Sequence, residues 1–233
     1  MRISWFCYLL TSSAVAASLT GNIALIRSGG ERKGDDHSGV VVWLESTKGA
    51  ISSQRGSSRR AVMEQRNKTF LPHVLAVEVG TAVDFPNFDP IFHNAFSNYD
   101  GQVFDLHLYA PQTSRRVIFR RPGMVRIFCN IHATMSAVIA VLPTPYYTVT
   151  GSNGRFQIEA PAGSYRFRVW HERSQAEFLE SLEREVTLGV EGLTLPEIQI
   201  AEQGFLTVPH KNKYGRDYPP QKDDHVYYPG ARR

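Results

Sequence analysis

Apolar and polar positions along this chain alternate in short runs, and Gly, Pro and Asn punctuate them, which is the period of half-buried strands and not of helices. Arg155-Phe-Gln-Ile-Glu159 and Tyr165-Arg-Phe-Arg-Val-Trp170 alternate strictly, with Ala160-Pro-Ala-Gly163 between them and Gly151-Ser-Asn-Gly154 ahead. Asn-Gly and Pro-x-Gly in such places are hairpin punctuation, because glycine accepts a positive φ without steric cost. The same reading predicts strands over 21–27, 40–44, 63–66, 74–79, 82–85, 116–119, 125–129, 137–142, 146–149, 183–188 and 193–200. The expected class is all-β.

Organisation follows from where this pattern lapses. Residues 47–60 (TKGAISSQRGSSRR) carry Ser, Gly and Arg without apolar period and read as a linker. Residues 62–142 then form one dense β unit, closed by Pro143-Thr-Pro145. The stretch 205–233 is rich in charge, Pro and Tyr and is expected to be a disordered tail.

Composition adds a compartment. Arg2, the apolar run Ile3 to Ala17 and the small residues Ala14-Val15-Ala16 read as a secretory signal peptide over 1–17, too short and too interrupted by Thr11, Ser12 and Ser13 for a membrane span. The expected location is periplasmic or secreted, with no stable membrane insertion after cleavage. Cys7 leaves with the signal, so Cys129 is left without an intramolecular disulfide partner. A solitary thiol in an oxidising compartment is buried, paired between chains, or occupied by a metal or a reaction. The net charge of +4 is spread without basic runs interleaved with aromatics, so no nucleic-acid partner is implied.

Candidate chemistry lies around that thiol. Val125-Arg-Ile-Phe-Cys129-Asn-Ile-His132-Ala-Thr-Met135 sets Cys, His and Met at spacing C-x2-H-x2-M between two predicted strands. A strand ending at Cys129, a tight loop and a strand starting near Met135 can aim a thiolate, an imidazole and a thioether at one point. Asn87-Phe-Asp-Pro-Ile-Phe-His93-Asn94 is the source of a second imidazole. Singly, each residue reads more simply as a core or surface group. Together they make the His2Cys trigonal set with a weak axial Met that binds one type 1 (blue) copper ion.

The segments EVGTAVDFPNFDPIFHNAFS, FDLHLYAP, RPGMVRIFCNIHATMSAVIAVL and GRFQIEAPAGSYRFRVWHE resemble the cupredoxin proteins of the methylamine-utilisation and plastocyanin-like kind. The short ligand loop is similar to that of amicyanins. The resemblance implies a cupredoxin Greek-key sandwich over 62–142, with His93, Cys129, His132 and Met135 as copper ligands. It also implies that Asn94 supports them from behind by tying the two ligand segments together. Ala133 stands where relatives usually have Pro, and His107 where they tend to have Gly.

Residues 146–200 resemble a carboxypeptidase-regulatory or transthyretin-like sandwich that lacks its first two strands. Residues 21–46 supply a matching pair. The expectation is therefore a second small β-sandwich made of 21–46 and 143–201, with the cupredoxin unit inserted into it.

The implied role is a non-enzymatic carrier of single electrons, exchanging with a c-type cytochrome or an exported dehydrogenase. The alternative is a copper-binding or delivery module of the envelope. Met-rich or His-rich tracts would favour delivery, and none occurs; His-x-His pairs and a Gly-x-Ser-x-Gly elbow are likewise absent. Trp170-His171-Glu172, His37, His73, His210 and His225 receive no role.

Overall fold

The computed structural model describes residues 16–27, 34, 36–49, 59–98, 101–203 and 211–218. Two strands open it, β1 (Ala16–Arg27) and β2 (Val41–Ser46). The middle of the chain contributes β3 (Arg60–Val62), β4 (Glu64–Arg66), β5 (Thr69–Leu71), β6 (Val74–Glu78) and β7 (Ala82–Pro86). It continues with β8 (Phe96–Ser97), β9 (Phe104–Asp105), β10 (Ser114–Ile118), β11 (Gly123–Phe128) and β12 (Ser136–Leu142). Last come β13 (Tyr147–Val149), β14 (Arg155–Pro161), β15 (Gly163–Trp170), the short helix α1 (Ala176–Ser181), β16 (Arg184–Leu188), β17 (Leu193–Thr194) and β18 (Ile198–Glu202). The class is all-β, as the alternation predicts.

Among the described residues, four of the five sheets stack face to face, and the β4–β5 hairpin forms the fifth. β6, β12, β11, β8 and β9 lie side by side in that order and face the three-stranded sheet β10, β7, β3. Between them sit Val83, Phe85, Phe119, Val125, Ile127 and Ile139, with Cys129 and Met135 at one end of the same core. The other pair is β14, β1 and β17, with β18 also on β1, facing β13, β2, β15 and β16. Its core holds Leu19, Ile23, Leu25, Val42, Leu44, Phe156, Ile158 and Phe167.

A third apolar layer joins the two sandwiches. Val41 and Trp43 of β2 meet Val74 and Ala76 of β6 and Ala140 and Leu142 of β12. Strands β2 and β12 are therefore buried on both faces, which is why Val40-Val-Val-Trp-Leu44 and Ala137-Val-Ile-Ala-Val-Leu142 are unbroken apolar runs while β14 alternates.

The two N-terminal strands occupy central places. Thr20 and Thr194 pair in parallel across β1 and β17, Leu19 pairs with Ile158 of β14, and β2 runs between β13 and β15. Gly154 turns the chain into β14 at φ +71°, where a Cβ would collide with the carbonyl of Ile23.

Several expectations change. Residues 1–15 of the expected signal lie outside the described residues, but Ala16 and Ala17 open β1, paired with Pro161 and Ala160, and Ala17 is buried. Of the expected linker, 50–58 lie outside the described residues, and Arg60 already belongs to β3. The hairpin β4–β5, the two-residue strands β8 and β9 and α1 carry too few residues for either period to show. In the expected disordered tail, 211–218 are folded against the β8–β9 edge and the Cys129 loop, because Lys213 and Tyr218 find partners there.

Candidate metal centre

The site forms where β7 and β11 end. After Pro86 the chain leaves its sheet in a loop that Asn87 folds upon itself: Asp89 N–H donates to Asn87 Oδ1, and Asn87 Nδ2 donates to the Ile91 carbonyl. This loop delivers His93, whose backbone exchanges two hydrogen bonds with Tyr109. On the other side β11 ends at Phe128, and a loop returns the chain into β12. Cys129 N–H donates to the Met135 carbonyl, and Met135 N–H donates to the His132 carbonyl, so the three residues bracket one tight turn.

Three donor atoms converge. His93 Nδ1 and His132 Nδ1 are 3.1 Å apart, and Cys129 Sγ lies 3.9 Å from the first and 3.6 Å from the second. A metal bonded to two nitrogens at ~2.0 Å and one sulfur at ~2.3 Å in a trigonal plane would hold N and N about 3.5 Å apart and N and S about 3.7 Å. The observed triangle matches that within a few tenths of an ångström, so these residues fit such an ion. Met135 is fully buried in the same core as Cys129, placed by the backbone bonds just described.

Burial sets the electrostatics. His93, Cys129 and Met135 have no exposed surface, while His132 keeps 7%. Desolvation pushes the His132 imidazole down to about 4, helped by the neighbouring His93, and lowers His93 as well despite the raising effect of Asp89. Both rings are thus neutral donors at pH 7. Burial raises the Cys129 thiol against the lowering effect of N–H groups around it.

Asn94, expected to tie the ligand segments together, accepts Asn130 N–H through its Oδ1 at 2.5 Å and donates through its Nδ2 to Asp105 Oδ1 at 3.3 Å. His107 adopts φ +54°, the left-handed conformation that favours Gly. Asp105 holds it there by accepting its N–H at 2.8 Å.

The structure also brings in residues that the sequence reading passed over. Asp89 Oδ2 accepts His93 Nε2–H at 2.7 Å, and the same carboxylate accepts the N–H groups of Asn67 and Lys68 in the β4–β5 turn. Burial raises Asp89, but these donors outweigh it and hold the carboxyl below its ordinary range. The i, i+4 spacing from Asp89 to His93 was the available signal. His73, left without a role, donates through Nε2 to Glu172 at 2.9 Å and lies 3.1 Å through Nδ1 from the Ser136 carbonyl. Nothing in the local pattern pairs a residue of β6's approach with one beyond β15.

No family model matches the chain. Over 59 residues, which are 25% of this chain and 52% of the relative, it is 41% identical to the methylamine utilization protein MauL of Methylorubrum extorquens. The chain thus spans about half the length of this curated relative. Among solved structures it is similar to a copper-containing nitrite reductase from Thermus scotoductus, at 24% identity over 40% of this chain and 25% of the other, with a TM-score of 0.35. A purple cupredoxin from Nitrosopumilus maritimus is 21% identical over 36% and 99% of the two chains, at a TM-score of 0.32. Amicyanin from Paracoccus versutus is 15% identical over 43% and 97%, at 0.34.

Proposed function

We propose that this chain, cupredoxin-like and similar to a methylamine utilization protein, holds one type 1 copper ion through His93, Cys129, His132 and Met135 and carries single electrons between exported redox partners. The observation that carries this reading is the triangle of two imidazole nitrogens and one thiol sulfur, all within 4.8 Å of one another and all buried. A copper ion in such a set supplies a one-electron couple whose two oxidation states tolerate the same ligand arrangement.

The protein residues do the rest. His93 and His132 enter as neutral rings, Asp89 orients the first through its Nε2–H, and the apolar core around Cys129 and Met135 excludes water. His132 alone among the four reaches the surface, so its edge is the route by which an electron enters or leaves. The neighbouring chain is apolar and accessible: Pro90 and Phe88 are exposed, Phe92 and Ala133 half-buried, a surface suited to a c-type cytochrome or an exported dehydrogenase. A closed, buried donor set favours a carrier over a delivery module, which needs ligands that can reach a recipient.

The periplasmic location belongs to the same proposal, resting on the signal-like residues 1–17 and the solitary cysteine. Among the described residues no helix is long and apolar enough to cross a membrane.

Addition of Cu(II) to the purified protein tests the reading. An intense thiolate-to-copper band in the visible, abolished by Cys129→Ser, is expected. A colourless wild type with stoichiometric bound copper would overturn the type 1 assignment.

A further inference from the structure

Residues 211–218 fold by themselves into a turn. Asn212 caps it: its carbonyl accepts Gly215 N–H, its Oδ1 accepts the N–H groups of Tyr214 and Arg216, and its own N–H donates to the Arg216 carbonyl. Gly215 sits at φ +73°, as that turn requires.

This turn is fastened to the peptide that follows the thiol. Tyr218 hydroxyl donates to the Cys129 carbonyl at 2.6 Å. Lys213 N–H donates to Asn130 Oδ1 at 3.0 Å, and Lys213 Nζ donates to Asp105 Oδ2 at 2.7 Å. Asp105 in turn accepts from Asn94, and Asn94 accepts Asn130 N–H. Lys213, Asp105, Asn94 and Asn130 therefore close a ring of hydrogen bonds around the Cys129–Asn130 peptide, and Tyr218 holds its carbonyl.

The attachments are partly withdrawn from water. Lys213 has 19% and Asp105 28% of its side chain exposed, and burial together with the nearby Cys129 raises the Tyr218 phenol well above its usual value. A bond from a half-buried hydroxyl to a backbone carbonyl constrains direction as well as position. The carbonyl carbon of Cys129 is bonded to the Cα from which the Cβ–Sγ arm springs, so holding this peptide limits how far the backbone at Cys129, and the sulfur with it, can shift.

We propose that residues 211–218 are a strap belonging to the metal centre, in which Lys213 and Tyr218 act as positioning residues for the thiolate of Cys129. The inference rests on the copper reading above. Without the strap the Cys129–Asn130 peptide keeps only the bonds from inside the sandwich, and the sulfur gains freedom to tilt.

The test uses the full chain, Tyr218→Phe, Lys213→Met, Lys213→Arg and a chain ending at Gln203. Two quantities are read: the rate at which metal-free protein reacts at Cys129 with a disulfide reagent, and the position of the thiolate-to-copper band with the reduction potential in the loaded protein. Tyr218→Phe and Lys213→Met should each speed thiol labelling by about fivefold, the factor that one lost hydrogen bond carries. They should also move the band and the potential, and the shortened chain should do both at least as strongly. Lys213→Arg, which keeps a cation beside Asp105, should behave as wild type. A shortened chain with wild-type labelling and an unmoved band overturns the proposal. Faster labelling with an unmoved band and potential makes the strap only a cover and also overturns it. If the wild type shows no band at all, the copper reading fails, and labelling alone then decides whether the strap holds the thiol.

Discussion

Asp89 and His93 are both buried and share a hydrogen bond of 2.7 Å from Nε2–H to Oδ2. The carboxylate fixes the tautomer, leaving Nδ1 as a lone-pair donor turned toward Cys129 and His132. Asp89→Asn should weaken copper binding by ~10–100-fold, the usual effect of removing such an orienting partner. Competitive titration against a chelator reads this, and an unchanged affinity would show that the ring is held by Tyr109 and the core alone.

Met135 is buried in the same core as Cys129. Met135→Leu should keep copper and colour while raising the reduction potential, because a weak thioether stabilises mainly the oxidised ion. Loss of all copper in this variant would make Met135 a principal ligand.

His73, before β6, and Glu172, after β15, link the two sandwiches. The side-chain bond to Glu172 raises His73, and the reciprocal bond, opposing burial, lowers Glu172. For His73 the raised folded value means that its contribution is full below its unfolded value of ~6.5 and lost as pH rises through the folded value. For Glu172 the lowered value means that its contribution is present above ~4.3 and lost as pH falls through the folded value. Their bond is thus strongest between about pH 4.3 and 6.5. With nearly half of the His73 side chain exposed, screening limits it to ~0.5 kcal/mol. Urea midpoints at pH 5.5 and 8.5 should show this loss in the wild type and none of it in Glu172→Gln.

Strands β1 and β2 run through the middle of both sheets of the second sandwich. Deleting residues 18–46 should therefore abolish the folding of residues 143–201, since both sheets lose their central strand and the core loses Leu19, Ile23, Leu25 and Leu44. Melting of that region, followed by Trp170 fluorescence, checks this, and an unchanged transition would refute the discontinuous arrangement. Leu142→Ala, at the layer joining the sandwiches, should cost ~2–5 kcal/mol as a buried large-to-small change.

Much of this was legible along the chain. Strict alternation marked β14 and β15, and C-x2-H-x2-M with a second His marked the site, because strand period and ligand spacing are both local. The unbroken run Val40 to Leu44 carried a further message that went unread: a strand apolar on both faces needs a second partner sheet, and β6 with β12 supplies it. What stayed hidden depends on distant residues meeting. Tyr218 and Cys129 are 89 positions apart, His73 and Glu172 are 99, and no window of sequence contains either pair. Low hydrophobicity made 205–233 look unstructured, yet 211–218 are held against the fold by three specific polar contacts.

The pairing of Thr20 with Thr194 imposes an order on folding. Every strand of the sandwich that carries the candidate site lies between residues 60 and 142, so that unit can close once its own stretch of chain is available. Strand β1 must wait, because its neighbours β14, β17 and β18 all follow the insert in the chain, and the loop closed by Thr20 and Thr194 exceeds 170 residues. Closing a loop costs only ~0.6 kcal/mol more per doubling of its length, so the delay is kinetic more than thermodynamic. The already folded insert shortens the search, since Arg59 and Pro143 emerge from a single compact body. His93, Cys129, His132 and Met135 thus all lie within the early-closing body, and the late-closing one is threaded from both of its ends.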